Sequence, residues 1–266
     1  MLRTLLVALL VAAGSFGIAT ALGMNPSTPT DLLLNLGGVE RDAALDAELP
    51  GTLVVLQHGL WRSAASLGRL ERTLRAQGYE VFNESYPSTS GTIEEHARAL
   101  DAALRAELAS RATPPARIAF VGHSLGGLVI RAYLALPGAV EPYAVVFIGT
   151  PQRGATLAAA RRDLWFFDLL MGRHAARQLA PDDPFFATLQ PLRVERVGVL
   201  FGAKGDGEGW NPDVPGDDDG TVGVAEVRCE SATDTIGLRI GHTRISFARA
   251  SIRQVLAFLR HGRFEH

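Results

Sequence analysis

The chain has one cysteine, Cys229, in 266 residues. That excludes an intramolecular disulfide and any metal cluster assembled from several thiolates. Lysine is equally scarce: Lys204 is the only one, so positive charge rests almost wholly on arginine. An excess of either charge is missing too. The 26 Lys and Arg against 28 Asp and Glu leave a formal charge of −2, which gives no electrostatic footprint for a nucleic-acid partner. No internal repeat is present, and no composition shift marks a second domain of comparable size. The lone thiol follows the alternating "VAEVR" (224–228), a setting for a buried structural cysteine rather than a reactive one.

What is present is the composition of a globular protein. Hydrophobic residues make up 47% and charged residues 20%, too apolar for a disordered chain and enough for one large core at this length. Residues 1–24 stand apart. After Arg3 an uncharged apolar stretch runs from Thr4 to Met24, ending in Ala19-Thr20-Ala21, a small-x-small pattern of secretory cleavage. The same stretch is long enough to span a bilayer uncleaved. Both readings, signal peptide and membrane anchor, put the remaining chain outside the cytoplasm, periplasmic, secreted or tethered. The cysteine box of a lipoprotein is absent. "NPSTPTD" (25–31) opens a linker and lead-in over 25–50, and the folded domain is expected over 51–266.

From Leu53 onward, apolar runs alternate with amphipathic ones. Strands are expected at "LVVLQ" (53–57), "YEVFNESYP" (79–87), "RIAFV" (117–121), "YAVVFIGTP" (143–151) and "VERVGVLFG" (194–202). Helices are expected at 63–78, at 92–111 with acidic residues in its first turn, and at 249–262. Strand–helix alternation at these intervals implies a mostly parallel central sheet with helices on both faces. Residues 154–190 read as a helical insertion, a cap.

"FVGHSLGGL" (120–128) is where a strand pattern becomes a helical one. A serine hydroxyl is a weak nucleophile that needs an adjacent base and a protruding position. A sharp strand-to-helix turn supplies the position, and Gly122 and Gly126 relieve crowding between the residues two before and two after Ser124. The helix that starts there aims free N–H groups at the same point, with Leu125 N–H the expected donor to an oxyanion.

From Leu53 to Phe264 the chain resembles the α/β-hydrolase family, bacterial lipase/esterase type. The matching pieces are "VVLQHGLWRS", "GYEVFNESYPS", "FVGHSLGGLVIRAYLA", "VVFIGTPQRGA", "DDGTVGV" and "GHTRISF", in the family's order. The resemblance implies an α/β-hydrolase fold and a Ser-acid-His triad in that order. Ser124 is then the nucleophile and His242, in "IGHTRI", the base. Among the other histidines, His123 is a variable elbow position, His58 orders its loop, His96 and His174 lie in helical segments, and His261 and His266 sit in a frayed C-terminal region. The acid has two candidates. Asp219 precedes the glycine of Asp-Gly-x-Val, as in lipases of this type, and Asp206 follows a strand more closely and is the reserve. Leu60, after His-Gly, would supply the second oxyanion N–H, and its apolar side chain resembles enzymes that favour medium or long acyl chains.

The implied activity is hydrolysis of an ester or lipid through an acyl-enzyme, with no metal and no cofactor. The aspartates of 206–219 could also hold Ca²⁺ through hard oxygen ligands, although their spacing matches no EF-hand loop. Thioesterase, phospholipase and acyltransferase chemistry use the same triad, and a catalytically silent binding scaffold is the reading outside enzymes. Leu164, Trp165, Phe166, Phe167, Leu169, Leu170 and Met171 would form a lid or acyl-channel wall, or pack the cap onto the core. Membrane contact is expected through residues 4–24 or the cap.

Overall fold

A computed structural model describes residues 51–163 and 174–266. The N-terminal segment and linker (1–50), and the apolar cap stretch from Leu164 to Met171, lie outside the described residues.

Six strands form one sheet: β1 (Thr52–Gln57), β2 (Glu80–Asn83), β3 (Arg117–His123), β4 (Ala144–Ile148), β5 (Val197–Gly202) and β6 (Asp234–Leu238). Their order is β2-β1-β3-β4-β5-β6, and every neighbouring pair is parallel. β4 is wholly apolar, and β1 and β3 are apolar between their polar end residues, because helices cover both faces of the sheet. Alternate residues of β1 show the division. Leu53 and Val55 pack with α2 (Ile93–Ser110) and α3 (Leu125–Leu134). Val54 and Leu56 pack with α1 (Gly68–Ala76) and the C-terminal helix, α8 by chain order (Arg249–His261).

Local signals set the helix ends. Thr92 accepts from the Glu95 N–H at 3.1 Å while Glu95 accepts from the Thr92 N–H at 2.8 Å, a reciprocal capping pair that starts α2. The expected helix over 63–78 is tighter at its start, a 3₁₀ turn over Ala64–Leu67 that passes into α1 at Gly68. The cap contributes three short helices among the described residues: α4 (Thr156–Arg161), α5 (Ala175–Gln178) and α6 (Pro184–Thr188). α7 (His242–Ile245) precedes α8. No helix among the described residues is long and apolar enough to cross a membrane.

Two expectations are corrected. "VAEVR" is a turn, not an alternating strand, and Cys229 is half-buried against the core edge. The last strand is β6 instead, and its half-exposed edge position explains its weak apolar signal. The C-terminus is also tied down rather than frayed. Phe264 is buried, its N–H donates to Asp234 at 2.7 Å, and His266 Nε2 lies 2.9 Å from the same carboxylate.

The direction of winding reverses between β1 and β3, its neighbour in the sheet. In open α/β sheets ligands sit at the carboxyl ends of the strands at such a reversal. His58-Gly59-Leu60 leaves β1 at that point, and Ser124 leaves β3 beside it.

Candidate active site

Gln57 is paired with Gly122 in the β1–β3 register. Two residues on, Gly59 and Ser124 stand side by side: a β-carbon placed on Gly59 would lie 3.0 Å from Ser124 Cβ. Ser124 adopts φ 54°, ψ −126°, a conformation that costs a non-glycine residue on the order of 1–3 kcal/mol. Surrounding contacts hold it there. Its N–H donates to Ile148 at 2.9 Å, and its carbonyl accepts from Gly127 at 3.0 Å.

The elbow glycines are required, but for a different contact from the one expected. A β-carbon on Gly126 would sit 2.2 Å from the Gln57 carbonyl oxygen and 2.5 Å from that of His58. One on Gly122 would sit 2.6 Å from the Gly127 backbone. The two positions therefore do not chiefly crowd each other. Gly126 lets α3 pass over the end of β1, and Gly122 lets the helix start directly on β3.

Ser124 Oγ is 3.0 Å from His242 Nε2, and His242 Nδ1 is 2.6 Å from Asp219 Oδ2. A carboxylate only accepts, so Nδ1 carries the proton and the Nε2 lone pair faces the serine hydroxyl. Asp219 is 3% exposed. Its Oδ1 accepts from the Thr221 and Val222 N–H groups at 3.0 and 2.8 Å, so the carboxylate is aimed by backbone donors. The His242 N–H returns to the Asp219 carbonyl at 2.8 Å. Acid and base are thus bound through both side chain and main chain.

Asp206 is elsewhere. Its carboxylate pairs with Lys204 at 2.6 Å and accepts from Glu208 and Gly209 N–H. The hydrogen bond from Lys204, with help from those amides, lowers its pKa to about 2. Asp217 caps the Lys204 and Gly205 N–H groups, and buried Asp218 accepts from Asn211 N–H at 3.1 Å. No cluster of three or more His, Cys, Asp or Glu able to hold a metal ion occurs among the described residues.

Leu125 is the first residue of α3, where the helix leaves its N–H without an intrahelical acceptor. Leu60 follows Gly59 in the turn beside Ser124 and packs its side chain on the core edge. Of the groups that brace this turn, sequence reasoning gave a role only to His58, as the residue that orders the loop. Trp61 has φ 64°, and with Ser124 it forms the pair of left-handed non-glycine residues among those described. Its N–H donates to the buried Ser88 hydroxyl at 3.0 Å. Tyr86 donates its hydroxyl to the His58 carbonyl at 2.8 Å and its N–H to His58 Nε2 at 3.1 Å. A backbone N–H can only donate, so His58 is protonated on Nδ1, which donates to the Gly59 carbonyl at 2.9 Å. Burial lowers the His58 pKa to about 4, keeping the ring neutral. "GYEVFNESYPS" carried these partners, but a fold-distant hydroxyl has no periodicity that would reveal them.

His96 is buried with its ring edge-on to Tyr86 at 4.8 Å. His174 caps α5 and His261 ends α8. His123 is buried behind His242, with ring centroids 5.0 Å apart. Among the described residues the structure therefore brings together Ser124, His242, Asp219, Gly59 and the two glycines, and leaves Asp206 out.

The pattern of the Alpha/beta hydrolase family matches residues 53–259. No curated protein matches the chain. Among solved structures it is similar to the mature lipase BlEst2 of Bacillus licheniformis, with TM-score 0.56 and 21% identity, over 84% of this chain and 94% of that one. It is similar to the metagenomic carboxyl esterase MGS0156, with TM-score 0.57 and 19% identity, over 75% and 67%. The type II thioesterase BorB of the borrelidin biosynthetic cluster follows, with TM-score 0.51 and 18% identity, over 80% and 92%. At such identities these likenesses speak for the fold. With the family pattern spanning most of its length, the chain belongs to the alpha/beta hydrolase family.

Proposed function

We propose that the protein is a serine hydrolase that cleaves carboxylic esters, with medium- to long-chain acyl or lipid substrates, through an acyl-enzyme. One observation carries the reading: Ser124 Oγ, His242 and Asp219 form a continuous hydrogen-bonded chain at 3.0 and 2.6 Å. Family membership and fold likeness to a lipase and a carboxyl esterase support it.

In this reading His242 Nε2 takes the Ser124 proton as the oxygen attacks the ester carbonyl carbon. The oxyanion that forms is met by the N–H groups of Leu60 and Leu125, each worth about 2.7–4 kcal/mol of barrier by analogy with a measured donor. The carbon–oxygen bond to the alcohol then breaks, and the alcohol leaves with the proton from His242. Water, deprotonated by the same nitrogen, attacks the acyl-enzyme, and the acid departs as Ser124 recovers its proton. Asp219 keeps the proton on Nδ1 and stabilises the imidazolium throughout. No metal or organic cofactor enters any step. The apolar side chain of Leu60 at the turn supports the preference for longer acyl groups.

The test is hydrolysis of p-nitrophenyl esters from acetate to palmitate, alongside labelling by a fluorophosphonate, with Ser124→Ala as control. Labelling lost in Ser124→Ala and a maximum at medium or long chains are expected. A maximum at acetate overturns the lipid preference, and turnover confined to acyl thioesters moves the activity to a thioesterase. Folded protein that is neither labelled nor active is a silent scaffold.

A further inference from the structure

His123 precedes the nucleophile at the end of β3 and is 2% exposed. Its Nε2 is 3.0 Å from the carbonyl oxygen of His242, across 119 residues of sequence. A carbonyl only accepts, so Nε2 carries the proton and donates it. Nδ1 is left as a buried lone pair with no hydrogen-bond partner among the described residues. That nitrogen faces the β1 turn, since a β-carbon on Gly59 would come within 3.1 Å of it. Burial, and then the proximity of His242, hold the imidazole well below its usual pKa, so the ring is neutral.

An orphaned buried nitrogen is a cost that packing does not require. A phenyl ring would fill the same space with no lone pair to desolvate. What a phenyl ring lacks is the donor aimed at His242. Asp219 already holds that residue from one side, through Nδ1 and through the main-chain N–H. The carbonyl side of the same residue is held by His123.

We propose that His123 is a positioning residue: its Nε2–H clamps the main chain of His242 and its ring backs the His242 imidazole, so that Nε2 of His242 stays aligned with Ser124 Oγ. The inference rests on the triad reading above. It gives the residue before the nucleophile a role in the reaction geometry without contact with substrate. Displacements on the order of 1 Å at a catalytic group cost about a hundredfold in rate, so a clamp on the base acts on kcat more than on KM.

The test compares the wild type with His123→Phe, which keeps the volume and loses the donor, and His123→Gln, which restores an N–H donor. Ester kinetics, the rate of fluorophosphonate labelling, the thermal midpoint and the downfield NMR signal of the His242 Nδ1–H are read for each. His123→Phe is expected to lower kcat and the labelling rate about 10- to 100-fold with KM little changed. The downfield signal should broaden or vanish, and His123→Gln should recover part of each. Wild-type rates in folded His123→Phe overturn the inference while leaving the triad intact. So does a rate loss that Gln does not relieve and that leaves the downfield signal unaltered. A wild type that takes no label overturns the triad reading itself. Should neither variant fold, NMR of the wild-type imidazole nitrogens decides: a neutral Nε2–H tautomer at His123 is expected, and an Nδ1–H tautomer overturns the clamp.

Discussion

Asp219 presents one carboxylate oxygen to His242 at 2.6 Å and gives the other to two backbone N–H groups, of Thr221 and Val222. The division fixes which way the carboxylate faces, and so which tautomer His242 adopts. An asparagine could keep the shape, but its amide would present either a donor to Nδ1 or a donor to the two N–H groups. Asp219→Asn is therefore expected to fold like the wild type and to lose kcat by on the order of 10⁴. Asp206→Asn, which removes only an exposed pairing with Lys204, should leave kcat unchanged. Steady-state ester kinetics on both variants check the assignment, and the reverse pattern would transfer the acid's role to Asp206.

Passage of α3 over the end of β1 depends on the missing side chain at Gly126. A β-carbon there would meet two carbonyl oxygens at 2.2 and 2.5 Å, and both belong to backbone that cannot swing aside. Gly126→Ala should cost about 1–3 kcal/mol or more, which for a domain of this size lowers the melting midpoint by several degrees, at about 2–4 °C per kcal/mol. It should also move Leu125 N–H, so labelling of Ser124 should slow beyond what the stability loss explains. A melting midpoint equal to the wild type's would show that the elbow has room to spare.

The turn after β1 is held from outside itself. Ser88 is fully buried and accepts the N–H of Trp61, a residue in left-handed conformation. Ser88→Ala leaves that N–H without its acceptor, at about 1–3 kcal/mol. Because Leu60 is the adjacent residue, its N–H should lose its aim. The expected result is a lower kcat with KM little altered, read from ester kinetics, together with a lower melting midpoint. Loss of stability without loss of kcat would confine Ser88 to a structural role.

The central sheet was legible because β1, β3 and β4 are buried on both faces through their centres and read there as apolar runs, Leu53–Leu56, Ile118–Val121 and Ala144–Ile148. β6 was not: it is an edge strand of five residues whose alternation, with Thr235 and Gly237 exposed, is marked by only two apolar side chains, Ile236 and Leu238. Ser124 and His242 stood out through motif and chain order. Asp219 against Asp206 could not be decided from spacing, because both follow β5 in one glycine-rich loop and only the fold of that loop selects between them. The reason for Gly126 was misjudged for a similar cause, since its close neighbour is β1, far away in sequence. Tyr86 and Ser88 act across about 28 residues of chain through single hydrogen bonds, which leave no pattern in composition or period. His123, read as a variable position, is decided by a contact 119 residues away.

Three buried histidines, His58, His96 and His123, tie stability to pH. Burial, the leading cause in each case, lowers His58 to about 4 and depresses His96 and His123, whereas all three take an ordinary value near 6.5 in the unfolded chain. Below about pH 6.5 the unfolded state therefore binds more protons than the folded one, and linkage makes stability fall as pH falls. The contribution is fully present above pH 6.5 and is lost progressively down to the folded-state value. For His58 the window runs from about 6.5 to 4, and each pH unit within it removes about 1.4 kcal/mol, or roughly 3 kcal/mol in all. Chemical denaturation at pH 7.5, 6.0 and 5.0 should show the free energy of unfolding dropping across this range. His58→Gln should flatten the slope by close to one proton while lowering stability at pH 7.5, where the bond to Tyr86 N–H is lost. A slope unchanged in His58→Gln would mean that this ring titrates alike in both states, and the neutral brace beneath the β1 turn would have to be abandoned.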